Sequence, residues 1–196
     1  MSMNRWFRIL AIASIPLAAA TAQESAVPAD IEVAVQRVSQ DGKSFYKINA
    51  KAFARAAPQP VWKVLTNYDR LTEFVPNLES SKTLSRDGGE AIIEQYGRAG
   101  FLFISHSVHL VLRVVEQPIS AIDITLLSGD MKHYASHWEI AAAERDGASG
   151  TLISYSGELA PDFFVPPLIG SALIRSDVRN MVTAVVKEIE SRAGRD

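Results

Sequence analysis

Between Ser80 and Leu159 the chain repeats one arrangement. Short stretches alternate apolar and polar residues, each stretch ends in a turn signal, and no helical stretch intervenes. The predicted strands are Ser80–Ser85, Ala91–Tyr96, Phe101–Val115, Ser120–Leu127, Lys132–Ala141 and Thr151–Leu159. They are separated by Arg86-Asp87-Gly88-Gly89, Gly97-Arg98-Ala99-Gly100, Gln117-Pro118, Ser128-Gly129-Asp130, Arg145-Asp146-Gly147 and Pro161-Asp162. Strands joined by tight turns must run antiparallel, because a parallel pair needs a long crossover. Upstream, Ile31–Val38 and Ser44–Phe53 read as a hairpin about Asp41-Gly42, its second arm entering the main sheet. Downstream, Pro167–Arg192 reads as one long helix with the apolar stripe Ile174, Val178, Met181, Val182, Val185 and Ile189. A meander has one face to bury, and this stripe is the surface available to cover it.

The region between hairpin and meander is the most distinctive part of the sequence. Pro58–Leu65 predicts a short helix with prolines in its first turn and Val61, Trp62 and Leu65 on one side. A turn at Asn67-Tyr68-Asp69 and a second short helical piece ending at Pro76 follow. The whole reads VWKVLTNYDRLTEFVPNL over residues 61–78. It resembles the START-like (SRPBCC) superfamily, in its polyketide cyclase/dehydrase and coenzyme Q-binding branch, and the resemblance runs from about Tyr46 to Ile189. It implies an α+β helix-grip fold. A curved antiparallel sheet of about seven strands wraps a long C-terminal helix, with two short helices after the first sheet strand and an apolar cavity between sheet and helix. That fold hosts carriers, sensors and enzymes alike, so it does not settle chemistry.

Residues 1–22 carry Arg5 and Arg8, a 12-residue apolar run from Ile9 to Ala20 broken by Pro16, and Ala20-Thr21-Ala22. This is the layout of a cleavable signal peptide, and the run is shorter than the ~20 residues of a membrane span. The expected division is a signal peptide at 1–22, a polar linker at 23–30 and the helix-grip domain at 31–196, located in the periplasm or secreted. Removing the leader leaves 18 bases against 22 acids, a net charge of −4. That balance argues against nucleic acid as a partner. There is no cysteine, so the domain must be held by its core.

Alternation assigns the inward face. Leu102, Ile104, His106, Val108, Leu110, Leu112 and Val114 share one side of the long strand. Ile122, Ile124 and Leu126, then Tyr134, Trp138 and Ile140, then Ile153, Tyr155 and Leu159 continue it. His106 and the Tyr155 hydroxyl are the polar members, with Ser136, Lys132 and Gln95 as further candidates. Each is either satisfied by a neighbour in the core or meets the polar head of a ligand. Trp62, Phe74 and Trp138 are packing or cavity wall. Strand parity places 97–100, 128–131 and 161–167 at one end, which is apolar through Phe101, Leu102, Met131, Phe163, Phe164 and Val165. The opposite end is charged. The apolar end is either a cap on the helix base or a mouth that touches membranes transiently. Leu168 and Ala172 on the last helix complete the expected ligand-binding set with Trp62, Phe74, Leu102, Ile104, His106, Ile122, Leu126, Tyr134, Trp138, Tyr155, Phe163 and Phe164.

No nucleophile elbow, phosphate loop, dinucleotide fingerprint or zinc-protease motif occurs. His133 and His137 lie on a strand, where four residues span about 13 Å, too far to share one zinc. No metal, cofactor or catalytic residue is assigned. A binding protein for a hydrophobic small molecule (lipid, isoprenoid quinone or polyketide-like) is the favoured expectation. A cyclase/dehydrase using the same cavity is the alternative, and a protein-interaction module docking through the apolar rim is the third.

Overall fold

Strand β1 (Glu32–Gln40) and strand β2 (Lys43–Ala54) form the opening hairpin. The computed structural model describes residues 31–40, 42–101 and 104–194, and of residues 100, 101, 104 and 105 the backbone alone. The expected leader at 1–22, the expected linker at 23–30 and Leu102 lie outside the described residues. Helix α1 (Pro58–Leu65) and a 3-10 turn (Tyr68–Glu73) come next. Six strands then follow: β3 (Leu78–Asp87), β4 (Glu90–Phe101), β5 (Ile104–Gln117), β6 (Ala121–Gly129), β7 (Met131–Arg145) and β8 (Ala148–Pro161). Helix α2 (Gly170–Ala193) is the last element described.

All eight strands join one antiparallel sheet in the order β1-β2-β8-β7-β6-β5-β4-β3. The expectation of about seven strands is low by one, because β1 pairs along its whole length with β2 and extends the sheet. Register shifts in the β3–β4, β5–β6 and β7–β8 pairs mark bulges, which bend a strand and raise its twist. The sheet therefore curves, and α2 lies in its concavity with Val178, Val182, Val185, Val186 and Ile189 buried. Two polar contacts fix the helix against the sheet. Arg179 donates to the Ile31 carbonyl at 2.9 Å, and the Arg55 amide donates to Glu190 at 2.9 Å.

Two boundaries differ from expectation. Residues 97–100 are not a turn: Gly97, Arg98, Ala99 and Gly100 pair with Val108, Ser107, His106 and Ser105, carrying the β4–β5 pairing out to Phe101 and Ile104. Gly97 serves a close approach instead. A Cβ there would lie 2.8 Å from the Asn77 carbonyl, which accepts the Arg98 amide at 2.8 Å. The last helix begins at Gly170 rather than Pro167, so Leu168 belongs to the preceding turn.

The motif at 61–78 has a direct structural cause. Val61, Val64 and Leu65 bury one side of α1. Tyr68 is buried and donates its hydroxyl to Glu116 on β5 at 2.7 Å, while Asp69 accepts the Thr83 amide at 2.7 Å and the Thr83 hydroxyl at 3.0 Å. Adjacent residues thus tie the 3-10 turn to β5 and β3. Arg86 completes the Tyr68–Glu116 cluster, 3.0 Å from Glu116 and 5.3 Å from the Tyr68 ring centre. Burial, then the Glu116 carboxylate, pushes the Tyr68 phenol well above its ordinary range, so it remains a hydrogen-bond donor.

Candidate functional site

Two connected chambers lie between sheet and helix. The inner one has a volume of about 330 Å³ and three walls. Leu65, Tyr68, Leu71 and Val75 form the side toward α1 and the 3-10 turn; Ile93, Leu110, Leu112, Ile122, Trp138 and Tyr155 form the sheet floor; Val178, Met181 and Val185 form the helix side. The outer chamber, about 240 Å³, is bounded by Phe163, Phe164, Val165, Ile169 and Leu173, with His106 at its edge. Ala99, Met131, Leu159, Asp177 and Val178 line both, which makes them a single passage. The size is that of a small-molecule site, and the lining is mainly apolar.

The tyrosine hydroxyls that line the inner chamber are hydrogen-bonded within the protein. Ser136 donates to the Tyr134 hydroxyl at 3.3 Å, and the Tyr155 hydroxyl hydrogen-bonds within the same cluster. Burial, then Tyr134, raises the Tyr155 phenol well above its ordinary value, so it is a neutral donor. Its ring rests tilted on Trp138 at 4.7 Å. Gly157, two residues along the same strand face, makes room for it: a Cβ there would lie 2.8 Å from the Tyr155 oxygen. Gln95 reaches Ser81 at 3.2 Å, and Arg98 is ion-paired to Glu79.

Of the residues predicted for the site, Ile122, Tyr134, Trp138 and Tyr155 line the inner chamber, and His106, Phe163 and Phe164 the outer one. His106 is not a core histidine. It is exposed and stacks on Phe163 with ring centres 4.3 Å apart. Trp62, Phe74 and Leu126 pack against the core and line neither chamber. Leu168 is 98% exposed and Ala172 is exposed, so both are corrected out of the cavity. The helix phase is the reason: Leu173, Ile174, Asp177, Val178 and Met181 turn inward, and Ala172 falls on the far side. Lys132 also points away, ion-paired with Asp162 at 3.2 Å. Ile104 lies on β5 opposite Phe101, its side chain outside the description.

Sequence reasoning missed Tyr68, the wall of the 3-10 turn, and Asp177. Asp177 occupies an inward position of α2 beside Val178, and that position was the signal that could have revealed it. The other three histidines face outward and pair with carboxylates: His109 with Glu94 at 2.9 Å, His137 with Asp123 at 2.7 Å, His133 with Glu158 at 3.8 Å.

No curated protein matches this chain. Solved structures do match in fold. The STAR-related lipid transfer protein from Xanthomonas axonopodis is 13% identical with a TM-score of 0.61, covering 80% of this chain and 93% of that one. A START superfamily protein from Mycobacterium smegmatis is 13% identical with a TM-score of 0.60, covering 76% and 97%. The Zhui aromatase/cyclase from Streptomyces sp. R1128 is 14% identical with a TM-score of 0.59, covering 77% and 94%. These likenesses carry the fold alone. The sequence itself matches the model of one family over residues 55–186, from the end of β2 to the buried middle of α2, the span that builds nearly all of the inner chamber. The grip of sheet on helix, the apolar passage between them and this match together place the chain in the polyketide cyclase / dehydrase and lipid transport family.

Proposed function

We propose that this domain is an exported carrier that holds a hydrophobic small molecule in the passage between sheet and α2. Lipid, isoprenoid quinone and polyketide-like molecules are the classes that suit it. One observation carries the reading: a cavity of about 330 Å³ is walled mainly by aliphatic and aromatic side chains, and its hydroxyls are hydrogen-bonded within the protein. Such a site binds by area. Each buried CH₂ is worth ~0.8 kcal/mol, so a tail of about ten carbons supplies useful affinity with few polar contacts. Export rests on the leader reading of residues 1–22.

The outer chamber supports access from the Phe163–Phe164 end. Phe164 is 79% exposed at its rim, while the Tyr68–Glu116–Arg86 cluster occupies the opposite end. We propose that this rim touches a bilayer transiently during exchange. The test of the carrier reading is mass spectrometry of organic extracts from natively purified protein, with displacement of a fluorescent fatty probe. A stoichiometric apolar ligand supports it. An empty protein with no affinity for apolar probes rejects it and leaves a protein-docking role.

The second reading is a cyclase/dehydrase, favoured by the Tyr134–Ser136–Tyr155 cluster at the cavity wall. Proton transfer works best from a group whose pKa lies near the operating pH. Tyr155 is pushed the other way, which suits a donor that orients a carbonyl and ranks this reading second.

A further inference from the structure

The apolar passage contains one charged side chain with no partner among the described residues. Asp177 lines both chambers at the point where they join. Its neighbours on the helix face are Ile174, Val178 and Met181, and across the passage stand Ala99, Met131 and Leu159. The other charged groups around the passage are spoken for: Arg98 is ion-paired to Glu79, and Glu116 receives Tyr68 and Arg86. His106 is the other titratable group of the outer chamber, and it lies stacked on Phe163. No hydrogen bond or ion pair to Asp177 occurs among the described residues, and burial alone raises its carboxyl above the ordinary value of 3.8.

A carboxylate is an expensive choice here. Every other inward position of α2 from Leu173 to Met181 is aliphatic or Met, and an aliphatic side chain would spare the domain the desolvation of a charge. A half-buried acid that no group among the described residues satisfies, set in the wall of a ligand passage, is matched by a donor that arrives with the ligand. The inner chamber can receive an apolar body, and its own hydroxyls are engaged. The unmet acceptor stands at the junction, where the head of a ligand lying tail-inward would rest.

Building on the carrier reading, we propose that Asp177 is the head-group recognition residue. The natural ligand is then an amphiphile whose polar end donates hydrogen bonds, an amine or an alcohol, rather than an anionic lipid or a free fatty acid. An incoming ammonium or hydroxyl meets the carboxylate in a low-dielectric passage, where a charge-assisted hydrogen bond is strong. An incoming carboxylate meets a like charge in the same place.

The experiment measures affinities of the full chain for tetradecylamine, tetradecanol and tetradecanoate at neutral pH, by displacement of a neutral fluorescent probe below micellar concentrations. The expected order is amine, then alcohol, then acid, with the amine at least about tenfold tighter than the acid. Asp177→Asn keeps the shape and removes the charge, and it should shrink that ratio to below about threefold. Asp177→Leu should do the same, and measurable binding of the neutral probe by that variant shows that the cavity persists. Asp146→Asn, in the turn between β7 and β8, should leave the ratio unchanged. Equal binding of all three amphiphiles by the native chain, or an amine preference that survives in Asp177→Asn, overturns the assignment while the carrier reading stands. Failure of the native chain to bind any of the three or the neutral probe overturns both.

Discussion

A methyl group added at Gly157 has nowhere to go. It would stand 2.8 Å from the Tyr155 oxygen and 3.2 Å from the ring carbon that bears it. That ring cannot swing aside easily, because it is buried against Trp138 and hydrogen-bonded at its tip. Gly157→Ala should therefore destabilise the domain by about 1–3 kcal/mol in urea unfolding, the usual cost of overpacking. Tyr155→Phe in the same chain should recover part of that loss, since it removes the nearest colliding atom. Asp177 gives a second prediction at this scale, and its sign is opposite to that of a paired carboxylate. Its folded-state pKa is raised, so just above the ordinary aspartate value the folded chain holds more protons than the unfolded one. Stability then falls as pH climbs through that window and stays lower above it. In thermal unfolding scans across that range, Asp177→Asn should show a smaller fall than the native chain.

The elements predict where a cavity can be blocked. Val178 lies on α2 where both chambers meet, and Val178→Phe should fill the junction. Apolar probe binding should drop by at least about tenfold with little change in circular dichroism, as judged against the ~0.8 kcal/mol carried by each displaced CH₂. Ala172→Phe, on the exposed side of the same helix, should leave binding as it is. The segment between β8 and α2 carries the rim, so Phe163→Ser with Phe164→Ser should slow transfer between vesicles more than it weakens equilibrium binding. The strands were legible because a sheet with one buried face writes its period into the sequence: Ile122 and Trp138 alternate with Asp123 and His137, and the structure keeps them on opposite faces. Residues 97–100 misled because a glycine that admits a neighbouring backbone looks like a glycine that turns. Asp177 escaped because a stripe traced by apolar residues alone skips the polar position that interrupts it. Tyr68 escaped because its role depends on Glu116, a partner that only folding brings near.

At the scale of the molecule, a ligand that binds only the folded chain should raise its stability by mass action, by about 2.7 kcal/mol at a hundredfold excess over Kd. For a domain of this size that corresponds to a rise in melting temperature of roughly 5–10 °C. Scans with the preferred amphiphile should show it, and scans of Val178→Phe should show much less. If the proposed export holds, the intact mass of protein isolated from its native host should correspond to a chain starting at Gln23, and a full-length soluble species would count against it. The sheet begins at β1 and ends at β3, and among the described residues no pairing joins these two edges. A closed barrel has a circumference fixed by its strand number and stagger, so its interior admits one width of guest. An open sheet held around a helix can tighten or relax its curl while every ladder stays intact. On the proposed carrier role, the domain would sort its cargo by which end is polar and be lenient about girth.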